Sequence, residues 1–497
     1  MEINGKAVQI DLWNFKLPQM RAFHMTWVAF FFCFFGWFGI APLMAVVRED
    51  LLLTKAQIGN TIIASVAITV LVRLLIGPLC DRFGPRLTYS GLLILGSLPV
   101  MGIGFAQSYE SFLLFRLAIG AIGASFVITQ YHTSIMFAPN CVGTANATTA
   151  GWGNLGGGVT QMAMPLLFAA LVSLGFEKFT SWRLVMVIPG AILFVMGVAY
   201  FLWTQDAPNG NYSALRAQGE LPMAKGSGLQ SFLLAVKDVR VWALFVVYAA
   251  CFGVELTINN IAALYYFDRF AVDLKTAGVI AGLFGLMNIF ARTLGGVFSD
   301  IIAVRWGLKG RVSFMGIVLL LEGMALVVFA QMGLLLWAII AMVVFSLFVQ
   351  MAEGAIYAVV PFINKKAVGS VAGVVGAGGN AGAVAAGFLF RSESLSTEQG
   401  LMYIAMAVVV ASAAAFFVRF STAAVADERK GLEEALLARQ SLRAAAFAVP
   451  VFGGVAAPFA PAMSPVRSAR PYVTEEDLLV VSKYTGLNRF SRKFRSH

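Results

Sequence analysis

Arg73-Leu-Leu-Ile-Gly77-Pro-Leu-Cys-Asp81-Arg82-Phe-Gly84-Pro-Arg86 closes an apolar run that starts near residue 57. Read as a helix, the run carries Arg73 about 12 Å inward from Asp81, deep in a hydrocarbon layer about 30 Å thick. The pattern occurs again in Arg292-Thr-Leu-Gly-Gly296-Val-Phe-Ser-Asp300, where Gly and Asp follow the arginine at the same spacings of four and eight. A second pair of phrases also repeats. Val142-Gly143 precedes Asn154 by eleven residues from the glycine, with Gly153 before the asparagine and Gly156 after it. Val368-Gly369 precedes Asn380 by eleven, with Gly379 and Gly382 in the same places. The copies lie 219 and 226 residues apart, which is the mark of a chain built from two similar halves in parallel orientation.

Hydrophobic residues make up 59% of the 497 and charged ones 12%, with a mean hydropathy of +0.81; soluble domains carry roughly 25% charged residues. No stretch before residue 420 has the polar surface to cover a water-soluble domain. Spans of about 20 apolar residues fall at 22–47, 57–79, 87–107, 111–137, 144–174, 183–203, 241–267, 276–301, 312–331, 334–361, 368–390 and 400–420. The first is too long for a signal-peptide core and lacks a small-residue cleavage site, so it is expected to be retained. The predicted fold class is an all-α membrane protein with twelve transmembrane helices in two pseudo-symmetric six-helix halves. Its parts are an N-terminal segment 1–21, a bundle 22–203, a linker 204–240, a bundle 241–420 and a tail 421–497.

The formal charge of +11 does not point to nucleic acid, because the basic residues sit in short loops and the tail rather than on a folded face. With the N-terminus inside, inner segments before the tail hold fourteen Lys and Arg against six in the outer loops, which fits the positive-inside bias and predicts both termini cytoplasmic. Cys33, Cys80, Cys141 and Cys251 are scattered singly, without disulfide or metal-ligand spacing. With three histidines and no visible triad, metal set or cofactor motif, neither an enzyme nor a cofactor is expected. The tail, with an amphipathic-looking run from Asp427 to Ala446 and a basic end, reads as largely disordered or weakly helical.

Gly77 to Arg86 matches the major facilitator signature Gly-x-Leu-x-Asp-Arg-x-Gly-x-Arg, and a worn copy begins at Gly296. This resemblance implies the major facilitator fold, with Asp81, Arg82, Arg86 and Asp300 forming a cytoplasmic latch rather than a binding site. Arg116, followed by Gly120 and Gly123, resembles a general superfamily pattern near the outer side and implies a structural or gating role.

An arginine at the depth of Arg73 or Arg292 costs at least about 2.5 to 3.5 kcal/mol, and no acid lies within two turns on its own helix toward the membrane. Two compensations are open. An acid on another helix could pair with it, Glu255, Glu322 and Glu353 being the remaining deep ones. Alternatively the two arginines face each other across a cavity and share an anion, since guanidinium forks suit a planar oxyanion.

Ala150-Gly151-Trp-Gly153-Asn154-Leu-Gly156-Gly157-Gly158-Val-Thr-Gln161 and Gly373-Val-Val-Gly376-Ala-Gly378-Gly379-Asn380-Ala-Gly382-Ala383 are costly as helices, at roughly 1 kcal/mol per glycine relative to alanine. The small-xxx-small spacings Gly153/Gly157 and Gly378/Gly382 permit close helix approach. Asn154 and Asn380 are not explained by packing; each could orient an anion or bond a neighbouring backbone.

These two phrases resemble the paired signatures of the nitrate/nitrite porter family. Ile289-Phe-Ala-Arg-Thr-Leu-Gly-Gly-Val-Phe-Ser-Asp300 and Gly253-Val-Glu-Leu-Thr-Ile258 resemble its high-affinity nitrate transporter branch. The resemblance covers about residues 20 to 420. It implies that Arg73 and Arg292 hold the anion, with Asn154 beside them and Phe126, Tyr248 and Phe252 as an aromatic wall; Asn380, the repeat counterpart of Asn154, is a further candidate. Nitrate is the implied substrate and nitrite a second one, with proton-coupled uptake across the plasma membrane by alternating access. Glu255, Glu353 and His132 are candidate proton carriers. Nitrate/nitrite exchange and a nitrate sensor on a transporter fold are the alternatives. The extended tail is like that of plant and algal members, some of which work with a small single-span accessory protein.

Overall fold

The computed structural model describes residues 2–430 apart from 4, 8, 138–141, 220–226 and 365–367. Residues 431–497, including most of the amphipathic-looking run, lie outside the described residues, as do Cys141 and the side chain of Asp81.

Helix ends follow local chemistry. Helix α1, Pro18–Phe38, opens with proline, whose missing N–H costs nothing in a first turn, and continues through a 3-10 turn into a short helix, Met44–Asp50. Helix α2, Lys55–Phe83, starts in a capping box: Thr54 Oγ1 accepts from the Gln57 N–H and Gln57 Oε1 from the Thr54 N–H. Gly84, at φ 84°, ends it; a side chain there would be strained. Helix α3, Pro85–Gly102, follows at once. Next come α4, Tyr109–Met136, interrupted by a 3-10 segment at Ala121–Ala124, and α5, Val142–Ser173. After them run α6, Lys178–Trp203, and α7, Val239–Phe270.

The 57-residue stretch Leu274–Ala330 breaks at Gly307, with φ 60° and ψ −155°, into α8 (274–306) and α9 (308–330). Helices α10, Leu335–Tyr357, α11, Val368–Arg391, and α12, Thr397–Ser412, complete the set. The sequence-placed spans fall on these twelve helices. At the start of the tail residues 422–430 are helical, and Glu428 is buried beside Arg311. Burial holds the Glu428 carboxyl above the usual range despite that arginine.

Two antiparallel pairs, α2 with α11 and α5 with α8, join the first six helices to the last six, and glycines set their approach. A Cβ on Gly59 would stand 2.4 Å from the Cα of Arg391, and one on Gly387 would stand 2.5 Å from Ile63. Added carbons on Gly278 and Gly285 would meet Gln161 O at 2.3 Å and the Gly158 Cα at 2.4 Å. These contacts lie at the ends remote from the chain's N-terminus. There Arg48 also forks onto Asp268 at 2.8 and 2.9 Å, and buried Arg116 donates to Asn260 Oδ1 at 2.8 Å, tying α4 to α7.

Toward the other face the pairs part. Among the described residues, a Cβ on Gly77, Gly296 or Gly373 would meet nothing within 4 Å. Gly77 and Gly296 lie one turn beyond Arg73 and Arg292 on the same helix faces. The helices are therefore closed on one side of the arginine level and open on the other, the side that carries the N-terminus.

Candidate functional site

Arg73 and Arg292 are almost fully buried, at 4% and 2% exposure, and one phenyl ring serves both. The centroid of Phe126 lies 5.3 Å from the Arg73 guanidinium carbon and 5.9 Å from that of Arg292. Phe252 adds a second face to Arg73 at 5.7 Å. Cation–π contacts of this kind recover only part of the cost of burying a cation.

Arg73 has no carboxylate in ion-pair range among the described residues. Its Nη1 donates to Gly376 O at 2.7 Å, Nη2 to Gly123 O at 3.2 Å, and Nε to the same carbonyl at 3.4 Å. Gly123 lies in the 3-10 interruption of α4, and Gly376 in the glycine phrase of α11.

Arg292 differs. Its Nη1 forms a buried ion pair with Glu353, and its Nη2 donates to Tyr248 Oη at 3.3 Å. Of the two compensations that the sequence leaves open, an acid on another helix serves Arg292, while among the described residues none pairs with Arg73. Backbone proximity explains this. A Cβ on Gly354 would be 2.1 Å from Arg292 O, and one on Gly295 would be 2.1 Å from Met351 O. Helices α8 and α10 thus touch backbone to backbone, and the residue before Gly354 reaches the guanidinium.

Of the asparagines, Asn154 donates through Nδ2 to Glu255 Oε2 at 3.1 Å, while Asn380 turns to Gly376 O in its own helix at 3.5 Å. The Oδ1 of each is buried without a donor among the described residues. Tyr248 and Phe252 stack at 5.1 Å, and Tyr357 meets Tyr248 and Phe126 edge-on at 5.1 and 5.5 Å. Sequence reading missed Tyr357 and Asn288. Tyr357 follows Glu353 by one helical turn, a spacing that could have signalled it. Asn288 donates to Glu255 Oε1 at 2.9 Å.

The signature glycines are approach points. An added carbon would meet Asn288 O from Gly151, Phe30 from Gly153 and Phe31 O from Gly156. It would meet Asn259 from Gly157 and the Gly285 backbone from Gly158. In α11 it would meet Tyr357 from Gly376, Phe245 O from Gly378, Phe252 from Gly379 and Ala249 O from Gly382.

The latch residues are placed apart from this centre. The Arg86 backbone N–H donates to Asp206 Oδ1 at 2.9 Å, and its guanidinium lies 4.0 Å over Phe201. Arg82 lies over Phe83, and its carbonyl accepts from Arg216. Asp300 accepts from Arg311 at 2.5 Å. Asp206, also unforeseen, is buried beneath Gly84 and accepts from the Tyr212 N–H at 3.0 Å. His132 bonds Tyr200 and Gln205 O through its two ring nitrogens. Among the described residues no group of three or more His, Cys, Asp or Glu could hold a metal ion.

Comparison with known proteins agrees with this architecture. The family model of the Major Facilitator Superfamily matches residues 26–387.

The chain belongs to the major facilitator superfamily, on the branch of the high-affinity nitrate transporters.

High affinity nitrate transporter 2.5 of Arabidopsis thaliana is 42% identical over 416 residues, covering 82% of each chain. Nitrate transporter 2.2 of Chlamydomonas reinhardtii is 34% identical, with 87% of this chain and 86% of its own covered. The nitrate/nitrite transporter NrtP of Picosynechococcus is 30% identical, covering 76% and 85%. Among solved structures, a bacterial homologue of the human lysosomal transporter Spinster matches with a TM-score of 0.64 at 18% identity, over 83% of this chain and 98% of that one. This superfamily member and its relatives are multi-pass membrane transporters.

Proposed function

We propose that this superfamily member is a secondary active nitrate transporter, with nitrite as a second substrate, working by alternating access in the plasma membrane with both termini cytoplasmic. Bundles 22–203 and 241–420, joined by the linker 204–240, are the two rocking bodies. The observation that carries the reading is Arg73: a guanidinium deep in its helix, held by the carbonyls of Gly123 and Gly376 and by two aromatic faces, with no carboxylate in ion-pair range among the described residues. Planar guanidinium forks suit a planar monovalent oxyanion, and the rings of Phe126 and Phe252 flank this one. Arg292 shares the Phe126 ring with Arg73, Asn380 donates to the same Gly376 carbonyl as Arg73, and Asn154 and Asn380 each carry a buried Oδ1 with no donor among the described residues. The names of the relatives support nitrate and nitrite.

Nitrate moving inward against a membrane potential needs about 2.3 kcal/mol per charge per 100 mV, and proton symport is the proposed source. A small single-span accessory protein is proposed as a partner on the plant-type resemblance alone. Counterflow in proteoliposomes tests the function: labelled nitrate should enter vesicles preloaded with unlabelled nitrate and be displaced by nitrite. A sensor would bind nitrate and give no counterflow. An exchanger would need nitrite or nitrate on the far side even under an imposed pH gradient, whereas a symporter would not.

A further inference from the structure

Glu353 is an unusual partner for Arg292. Its Oε2 makes the ion pair, but its Oε1 is buried with no donor among the described residues, and the carboxyl of Glu255 lies within hydrogen-bond reach of it. Glu255 already accepts from Asn154 on one oxygen and Asn288 on the other. Two carboxyls in contact away from water do not both ionise readily. The groups around Glu353 are Arg292 on α8, Tyr248, Cys251 and Glu255 on α7, Glu322 on α9 and Tyr357 on α10; Asn154 on α5 and Asn288 on α8 donate to Glu255. Arg292 is the nearest cation.

We infer that the Glu353–Glu255 carboxyl pair is the coupling-proton site of this carrier, and that its protonation releases Arg292 to hold the anion. The inference rests on the nitrate-carrier reading and deepens it. A proton entering the pair forms an O–H bond on Glu353, directed at Glu255, and cancels the charge that held Arg292. The freed fork then joins Arg73 around the anion. On the other side of the membrane the anion leaves, the O–H bond breaks, the proton departs to water, and Glu353 closes again on Arg292. The structure matches the last stage: open toward the N-terminal side, with the ion pair formed. One proton and one anion travel together in each cycle, and the empty carrier returns with Arg292 neutralised. Glutamine at position 353 would mimic the protonated state permanently, so the anion could still be exchanged but would no longer be tied to a proton.

The test uses the full chain in proteoliposomes with the membrane potential clamped and a pH dye in the lumen. Wild type should concentrate labelled nitrate under an inward proton gradient and acidify the lumen when nitrate is added. Glu353→Gln should lose both by at least about tenfold yet still exchange labelled for unlabelled nitrate, at a rate no longer dependent on pH. Glu255→Gln should shift the pH dependence of exchange and serves if the first variant is not recovered folded. Gradient-driven accumulation at the wild-type level in either variant would overturn the inference, and so would folded Glu353→Gln that loses exchange and accumulation together. Wild-type vesicles that fail to exchange nitrate at all would instead refute the carrier reading beneath it.

Discussion

Arg73 Nη1 donates to the carbonyl of Gly376 at 2.7 Å, at the level where α2 and α11 cease to touch. On the side remote from the N-terminus the two helices are in backbone contact; on the N-terminal side Gly77 and Gly373 face open space among the described residues. The cation at the centre of the molecule is thus also the last contact of a closed seam, so an anion drawing on that fork would act directly on the seam.

The open side can be probed chemically. In a cysteine-free background, Gly77→Cys, Gly296→Cys and Gly373→Cys should react with a membrane-impermeant thiol reagent from the side bearing the N-terminus. Thr61→Cys and Ser65→Cys, at fully buried positions on α2, should stay unlabelled under the same conditions. Equal labelling of the two sets would remove the seam.

Packing at the glycine phrases should be unforgiving where backbones meet. A Cβ on Gly382 would stand 2.2 Å from Ala249 O, so Gly382→Ala should cost about 1 to 3 kcal/mol and lower the melting temperature of the detergent-solubilised protein. Gly373→Ala, with nothing in reach, should melt like wild type.

Asp206 gives a pH signature outside the membrane. Burial pushes its carboxyl above the ordinary range, against the N–H groups of Tyr212 and Arg86 and the charges of Arg86 and Arg216. A group whose folded value is raised stabilises the fold below its unfolded value and loses that contribution as pH rises through the folded one. Thermal melts across the acidic range should show wild type losing stability relative to Asp206→Asn as pH rises through that window. Parallel pH profiles for the two proteins would contradict this.

Much of the fold was legible because the membrane imposes length and charge rules on every span, and because the chain repeats. The eight-residue spacing from Asp81 and Asp300 put Arg73 and Arg292 at matching positions in the two halves, and the Gly/Asn phrases marked helices that approach their neighbours backbone to backbone. The carboxylate on Arg292 was not readable in the same way. Glu353 reaches it only because Gly295 and Gly354 bring α8 and α10 into backbone contact, a distance that no periodicity within one helix encodes. Asp206 was hidden for a similar reason: it lies in a linker with no repeated counterpart, and only the turn at Gly84 reveals the space it fills. The aromatic wall was placed by resemblance, yet Tyr357, which closes it, stands one turn from an acid already singled out.

The claim on which the account turns is that Arg73 holds the anion through its planar fork. Equilibrium nitrate binding to purified wild type and Arg73→Lys, both checked for matching melting curves, tests it most directly. Lysine keeps the charge but loses the fork, and affinity should fall at least about tenfold. Equal affinity in the two proteins would contradict the account.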